Sequence, residues 1–399
     1  MILAAACAGG DTAGTASITV ERDTIGDTVV VRTIAGSVWG DSARLVEELR
    51  IGELDGADEY IFGQVRELAV GPQGTIYVYD GAVKALRAYD STGRYLRTIG
   101  AEGGGPGEYR EVLGLAILPD GRLLLDDPRL GRINVYSATG DPLGAWPMPS
   151  GLFTSNAITT DSAGRSYVKI LTSDIRQGEP WPIGYVRLDD KGAVVDTIPG
   201  PRWLEEVANA PAYGPVGLWA WHPYGYMVAA FGGRYAVELR RAGGPVLRIE
   251  RANQPVVPVP AEERAELKEA FSALRRQGAF GSGTPPAEPE IPVVKPALRA
   301  LMLGYDGRIW VSPHLPSVRR AEPVDTTLPP GRRPRSWTAP VAWDIFEPDG
   351  TFLGRVTVPP GTSILAMRGD RAWGTVRDEN DVPFVVRWRV VTGGDGADR

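Results

Sequence analysis

Two turn positions repeated at one spacing, four short apolar runs between successive turns, and two chain ends that complete one another predict an all-β fold. The expected architecture is a closed ring of six four-stranded antiparallel blades, a six-bladed β-propeller. The repeat is plainest between Phe62 and Tyr136, where Gly74 and Gly121 stand 47 positions apart and so do Gly93 and Gly140.

The first pass of the repeat carries apolar runs at 68–70, 76–80, 86–90 and 95–100, and the second at 115–117, 123–127 and 132–136, with a turn closing at Gly140. Glycine accepts the positive φ that tight hairpins impose, so its recurrence marks strand ends. A four-stranded unit of about 40–50 residues buries its faces only against neighbouring copies, which is why such units close into rings.

Composition agrees. Of 399 residues 43% are hydrophobic, and 50 Gly and 34 Pro punctuate the chain, as many short strands require. A net charge of −6 provides no field for phosphate backbones or anionic lipid, so nucleic acid is not an expected partner. Cys7 is the sole cysteine, which excludes an intrachain disulfide and thiol chemistry in the folded body. No run reaches the roughly 18 apolar residues of a membrane helix.

In order, residues 1–11 resemble the end of a bacterial lipoprotein signal, with small residues before Cys7 and a small polar spacer after it. This predicts a start upstream of Met1, a lipid anchor on Cys7 and a place in the cell envelope or periplasm; secretion is the alternative. Residues 1–25 are expected to be a signal remnant and disordered tail, 26–392 the single propeller domain, and 393–399 a second disordered tail. Residues 27–33 could form a strand, but the repeat assigns it no partner. Residues 45–52 read as the fourth strand of a blade whose other three lie at 364–367, 372–376 and 384–391, so the two ends fasten the ring. Blade one then uses 66–100, blade two 112–147, blade three 156–198, blade four 216–251 and blade five 298–358.

Three insertions interrupt the blades, at 172–183, 252–296 and 312–340. In an up-and-down blade the loops from second to third strand and the connectors between blades leave from one end, so all three belong on one rim. Within the second, 260–277 reads as a helix. Pro260 suits its start, Glu262 and Glu263 complement the dipole, Arg275 and Arg276 close it, Gly278 stops it, and Leu267, Ala270, Phe271 and Leu274 share a face. That face either packs on the propeller or forms a lid over the central opening.

The run 103–109, Gly-Gly-Gly-Pro-Gly-Glu-Tyr, with 115–121 and 132–136, resembles the NHL repeat, and the chain as a whole is similar to bacterial six-bladed propellers of the NHL and TolB-like families. The close match covers roughly 61–147. The resemblance implies a six-bladed ring, often exported, whose members bind proteins or carbohydrates, with a minority of enzymes. Histidine-zinc lyase chemistry needs several converging histidines, and His222 and His314 are the only two. Lactonase-type propellers hold a divalent ion through oxygen ligands; Asp80, Glu108, Asp126 and Asn156 are the candidates here, with solvated loop carboxylates the plainer reading.

Trp219, Trp221, Tyr224 and Tyr226 form the densest aromatic cluster, which serves either inter-blade packing or a stacking platform for a sugar or peptide; Trp219, Trp221, Tyr224 and the neighbouring His222 are the candidate ligand contacts. Arg319, Arg320, Arg332 and Arg333, among prolines, form either a solvated loop or a grip on an acidic partner. The leading expectation is a monomeric, non-enzymatic binding or scaffold protein that needs no cofactor and engages a protein, peptide or carbohydrate on the insertion-bearing rim. The rival is a propeller hydrolase or lactonase with a divalent cation such as calcium in the central channel.

Overall fold

The computed structural model describes residues 17–41, 43–149, 153–174, 181–203, 212–278, 288, 290–321 and 335–392; side chains of 153–157 lie outside the description. Six blades form the ring. Blade one is Val65–Val70, Ile76–Asp80, Ala85–Tyr89 and Tyr95–Ile99, and blade two is Gly114–Ile117, Leu123–Asp127, Arg132–Tyr136 and Pro142–Pro147. The glycines that set the period, Gly74, Gly93, Gly121 and Gly140, all have φ between 87° and 89°, which explains why the repeat keeps them. Blade three starts at Phe153–Thr160, blade four at Gly217–His222, blade five at Leu298–Leu303 and blade six at Thr362–Arg368.

Closure follows the expected route. Strand β3 (Arg44–Ile51), named after the two N-terminal strands β1 (Thr19–Ile25) and β2 (Thr28–Ala35), pairs antiparallel with Pro383–Val391, placing Arg50 opposite Val386. Ile51 and Val385 are buried together with Leu68 and Val78 of blade one, so the joined ends seal the last interface of the ring.

Two expectations need correction. The disordered tail does not extend to residue 25: β1 and β2 form a hairpin about Gly26, and β2 runs parallel to Val246–Arg251, widening blade four to six strands. The partner for 27–33 therefore comes from a blade two hundred residues on, beyond the reach of a repeat-based reading. Glu21, Arg22 and Asp23 look like a solvated tail because β1 is the outermost strand, and charge on such an edge resists further pairing.

The second correction concerns the helix, α1 (Ala261–Arg276), which forms as expected after Pro260. Its buried stripe begins one turn earlier than the apolar pattern shows: Glu263, Leu267 and Ala273 are buried, while Ala270, Phe271 and Leu274 are only partly covered. Glu263 is thus a member of the inward face and does more than complement the helix dipole. At the feet of this insertion, Val259 N–H donates to Val293 and Lys295 N–H to Val257, which zips its two ends together.

Candidate functional site

Strand alternation puts the connectors between blades and the second-to-third loops at one end of the ring, and the cavities with described walls open there. The most elaborate polar arrangement at that end lies under α1. The Tyr213 hydroxyl, from the connector between blades three and four, and the Ser317 hydroxyl both donate to Oε1 of Glu263. Lys295 Nζ donates to Ser317 Oγ and to the Leu315 carbonyl, and sits 4.8 Å from the centroid of the Tyr213 ring. Glu263 and Lys295 are each only 4% exposed.

Burial lowers the Lys295 pKa, with the charge of Glu263 opposing that shift. Burial, then the hydrogen bond to Glu263, lifts Tyr213 to about 12. His314, edge-on to Tyr213 at 5.5 Å, is pushed down to about 4 by burial and by Arg299 and Lys295, so it is neutral at physiological pH. Tyr213 itself has φ of 62°, a conformation that costs a non-glycine residue about 1–3 kcal/mol and persists only where neighbours impose it.

Chemically this arrangement is a latch. The proton of Ser317 is committed to Glu263 while its lone pair takes the ammonium of Lys295, so Ser317 is not a nucleophile poised on a free base. A second tie supports the first, since Ser336 N–H donates to Glu266 at 2.6 Å. The cluster joins the blade three to four connector with the second and third insertions. Sequence reading missed Tyr213, Lys295 and Ser317, which lie in unpatterned loops. Glu263 carried a signal, standing four residues before Leu267 on the inward stripe.

The residues singled out from sequence are not gathered into one place. Trp221 stacks on Tyr167 at 4.3 Å and Trp219 meets Tyr185 edge-on at 5.0 Å, which is packing between blades three and four. Lys169 lies 4.5 Å from the Trp219 ring centroid. His222 is fully buried: Nδ1 accepts from the Tyr224 N–H, Nε2 donates to the Gly307 carbonyl at 2.8 Å, and burial takes it down to about 4. Tyr224 is exposed and donates to the Asp306 carbonyl. His222 and Tyr224 belong to a first-to-second strand turn, at the end opposite the insertions. Arg319 and Arg320 are exposed on the insertion side, where Val318–Arg319 pairs with Trp337–Thr338. Arg332, Arg333, Cys7 and the side chain of Asn156 lie outside the described residues.

The oxygen-ligand candidates also separate. Asp80 is consumed by the N–H groups of Gly63, Gln64 and Ala82, while one oxygen of Glu108 accepts from that of Gly105. Asp126 differs, being fully buried with neither carboxylate oxygen hydrogen-bonded. Burial, then the charge of Asp127, raises it to about 7. Glu67, on the innermost strand of blade one, is raised to about 8 by burial and by Asp126. Gly114 lies directly across the ladder from Asp126, and a Cβ there would stand 2.9 Å from the Ile158 side chain, so that side is closely packed. Among the described residues no group of three potential metal ligands forms.

Comparison with known proteins agrees with the fold. Residues 42–198 match the family DUF5128, described as a 6-bladed beta-propeller. No curated protein matches the sequence. A member of the DUF4221 family from Bacteroides vulgatus superposes with a TM-score of 0.56 at 10% identity, covering 88% of this chain and 99% of that one. Virginiamycin B lyase from Staphylococcus aureus has a TM-score of 0.42 at 10% identity, with 88% and 100% covered. Aldose sugar dehydrogenase from Streptomyces coelicolor has 0.43 at 14% identity, with 88% and 99% covered. The first likeness is one of fold alone, and the other two carry no argument about activity.

Proposed function

We propose that the protein is a ligand-binding six-bladed propeller of the cell envelope, which engages a protein or other extended partner on its insertion-bearing end without chemical turnover. One observation carries this reading: every insertion shows a large apolar side chain to solvent. Trp181 of the first is 51% exposed, Val256 and Val293 of the second 75% and 63%, and Val318 of the third 52%. Exposure of this kind also occurs on the blades, at Leu143, Val194 and Val195 for example; on the insertions it stands at one end of the ring with the cations Arg319 and Arg320 alongside. The latch supports the reading, since it fixes the second and third insertions on the ring and leaves Ser317 unactivated.

The test is capture of envelope proteins and glycans from the native cell by immobilised protein. A Trp181→Ala, Arg319→Glu, Arg320→Glu triple substitution should abolish capture, and Tyr224→Ala at the opposite end should not. Equal capture by both variants sinks the proposal. Envelope attachment rests on the residues around Cys7 and is checked by labelling with a palmitate analogue; equal labelling of Cys7→Ser rules it out.

The rival reading, a hydrolase with a divalent ion in the channel, has the unpartnered oxygens of Asp126 in its favour. Elemental analysis after dialysis against calcium decides it: a stoichiometric ion with chelator-sensitive hydrolysis would replace the binding-only view.

A further inference from the structure

A separate cavity of about 440 Å³ opens between blades one and two, on the side of the ring away from the latch. Four cations and two acids line it. Lys84 pairs with Glu102, and Arg129 with Glu111 at 3.0 Å, so both acids are already neutralised. Arg66 and Arg110 are left over. Arg66 donates only its Nε, to Gln64 at 3.2 Å, and the Arg110 guanidinium has no acidic partner among the described residues.

The walls are shaped for these two side chains. A Cβ at Gly81 would stand 2.6 Å from Cδ and Nε of Arg66, so a larger residue there would displace the arginine. The terminal nitrogen of Arg110 lies over Gly104. The glycine hairpin that forms one wall is held rigid, as Arg132 donates to the Gly105 and Glu108 carbonyls and Gly105 N–H donates to Glu108. At Gly103 a Cβ would stand 2.0 Å from the Glu108 carboxylate, so a larger residue there would push that side chain aside. One blade on from Arg66 the repeat has Leu113, and one blade back from Arg110 it has Gly63. The pair is therefore an addition to the repeat and no part of its scaffold.

We propose that this cavity binds a small carboxylate ligand, of about one or two sugar rings or amino acids in size, with Arg66 and Arg110 as the groups that take the carboxylate. A guanidinium offers two parallel N–H donors that match the two oxygens of a planar carboxylate. A guanidinium also pairs two oxygens of a phosphate, but the nearby backbone N–H groups that could hold its remaining oxygens are spent: Gly81 on Gln64, Gly103 on Tyr109 and Gly105 on Glu108. Cavities of this size are ordinary for small ligands. The site shares no residue with the latch, so either proposal stands or falls alone.

The experiment is calorimetric titration of the full chain at low ionic strength with digalacturonate, a Glu–Glu dipeptide, neutral digalactose and inorganic phosphate. One carboxylated probe should bind, which one identifying a sugar acid or a peptide as the source, while digalactose and phosphate bind at least ten-fold more weakly. Arg66→Gln and Arg110→Gln, both exposed and expected to fold normally by circular dichroism, should each weaken binding about ten-fold or more. Absence of binding by both carboxylated probes, equal binding of phosphate or digalactose, or wild-type affinity in both variants overturns the assignment.

Discussion

Glu48 and Arg387 stand 339 positions apart in the chain, yet the Nε of Arg387 donates to the Glu48 carboxylate across 3.1 Å. Arg371 donates to the same oxygen at 3.0 Å, and Arg389 faces the other at 3.3 Å. Glu48 is the extra residue where the register shifts between Glu47 and Leu49, and that bulge lets one carboxylate serve three guanidiniums across the closure seam. These pairs are partly solvated, so Glu48→Ala should lower stability by only about 1 kcal/mol. Glu48→Lys, which adds a fourth cation, should lower the melting temperature further. An unchanged melting temperature in Glu48→Lys would show that backbone pairing and apolar burial hold the seam alone.

Asp344 is the corresponding clamp between blades four and five, but fully buried. It accepts from Tyr235 at 2.6 Å, from Arg251 at 2.8 Å, and from Arg355 through two bonds at 2.6 and 2.8 Å. Asp344→Ala strands two guanidiniums beside a low-dielectric interior and should cost about 3–5 kcal/mol. The urea midpoint measures it, and a loss below about 1 kcal/mol would mean that water replaces the carboxylate freely.

Asp126 and Glu67 should make stability fall with rising pH. Their folded pKa values, about 7 and about 8, lie above those of the unfolded chain. The folded form therefore keeps its protons longer; its advantage is whole below about pH 4 and is lost as pH climbs to about 8. Asp126→Asn should match wild type at pH 4 and exceed it by about 2–4 kcal/mol at pH 8. Denaturation at the two pH values provides the comparison, and parallel curves for the two proteins would remove the unpartnered carboxyl from the account.

Under α1, Glu263→Ala should release the helix without disturbing the ring. Amide exchange in 261–276 is expected to quicken about ten-fold or more, with the strands of blade one unaltered. Unaltered exchange in the helix would show that Leu267 and Ala273 hold it unaided.

The ring and its closure were legible because hairpin glycines and apolar runs obey local rules, and a strand such as 45–52 with no neighbours points to the missing edge at 384–391. What escaped reading depends on partners distant in the chain. The place of β2 is fixed by Val246–Arg251, and Lys295 gains meaning only beside Ser317 and Glu263. His222 and Tyr224 looked like ligand contacts because they are polar tips in an aromatic run, yet their hydrogen bonds are spent on Gly307 and Asp306. Arg66 and Arg110 lie inside the most regular stretch without a signal of their own, because whether a cation meets an acid depends on how Lys84 pairs Glu102 and Arg129 pairs Glu111 in the fold.

The N-terminal segment carries a consequence of timing. It lines the outside of three blades, with β2 on blade four, Trp39 N–H bonded to the Leu353 carbonyl of blade five, and β3 on blade six. A chain emerging from the ribosome makes β2 about two hundred residues before Val246–Arg251 and β3 more than three hundred before Pro383–Val391, so two adhesive edges wait through a long stretch of synthesis. Prematurely terminated products therefore have no shorter ring to settle into, and proteolysis or clumping is their expected fate.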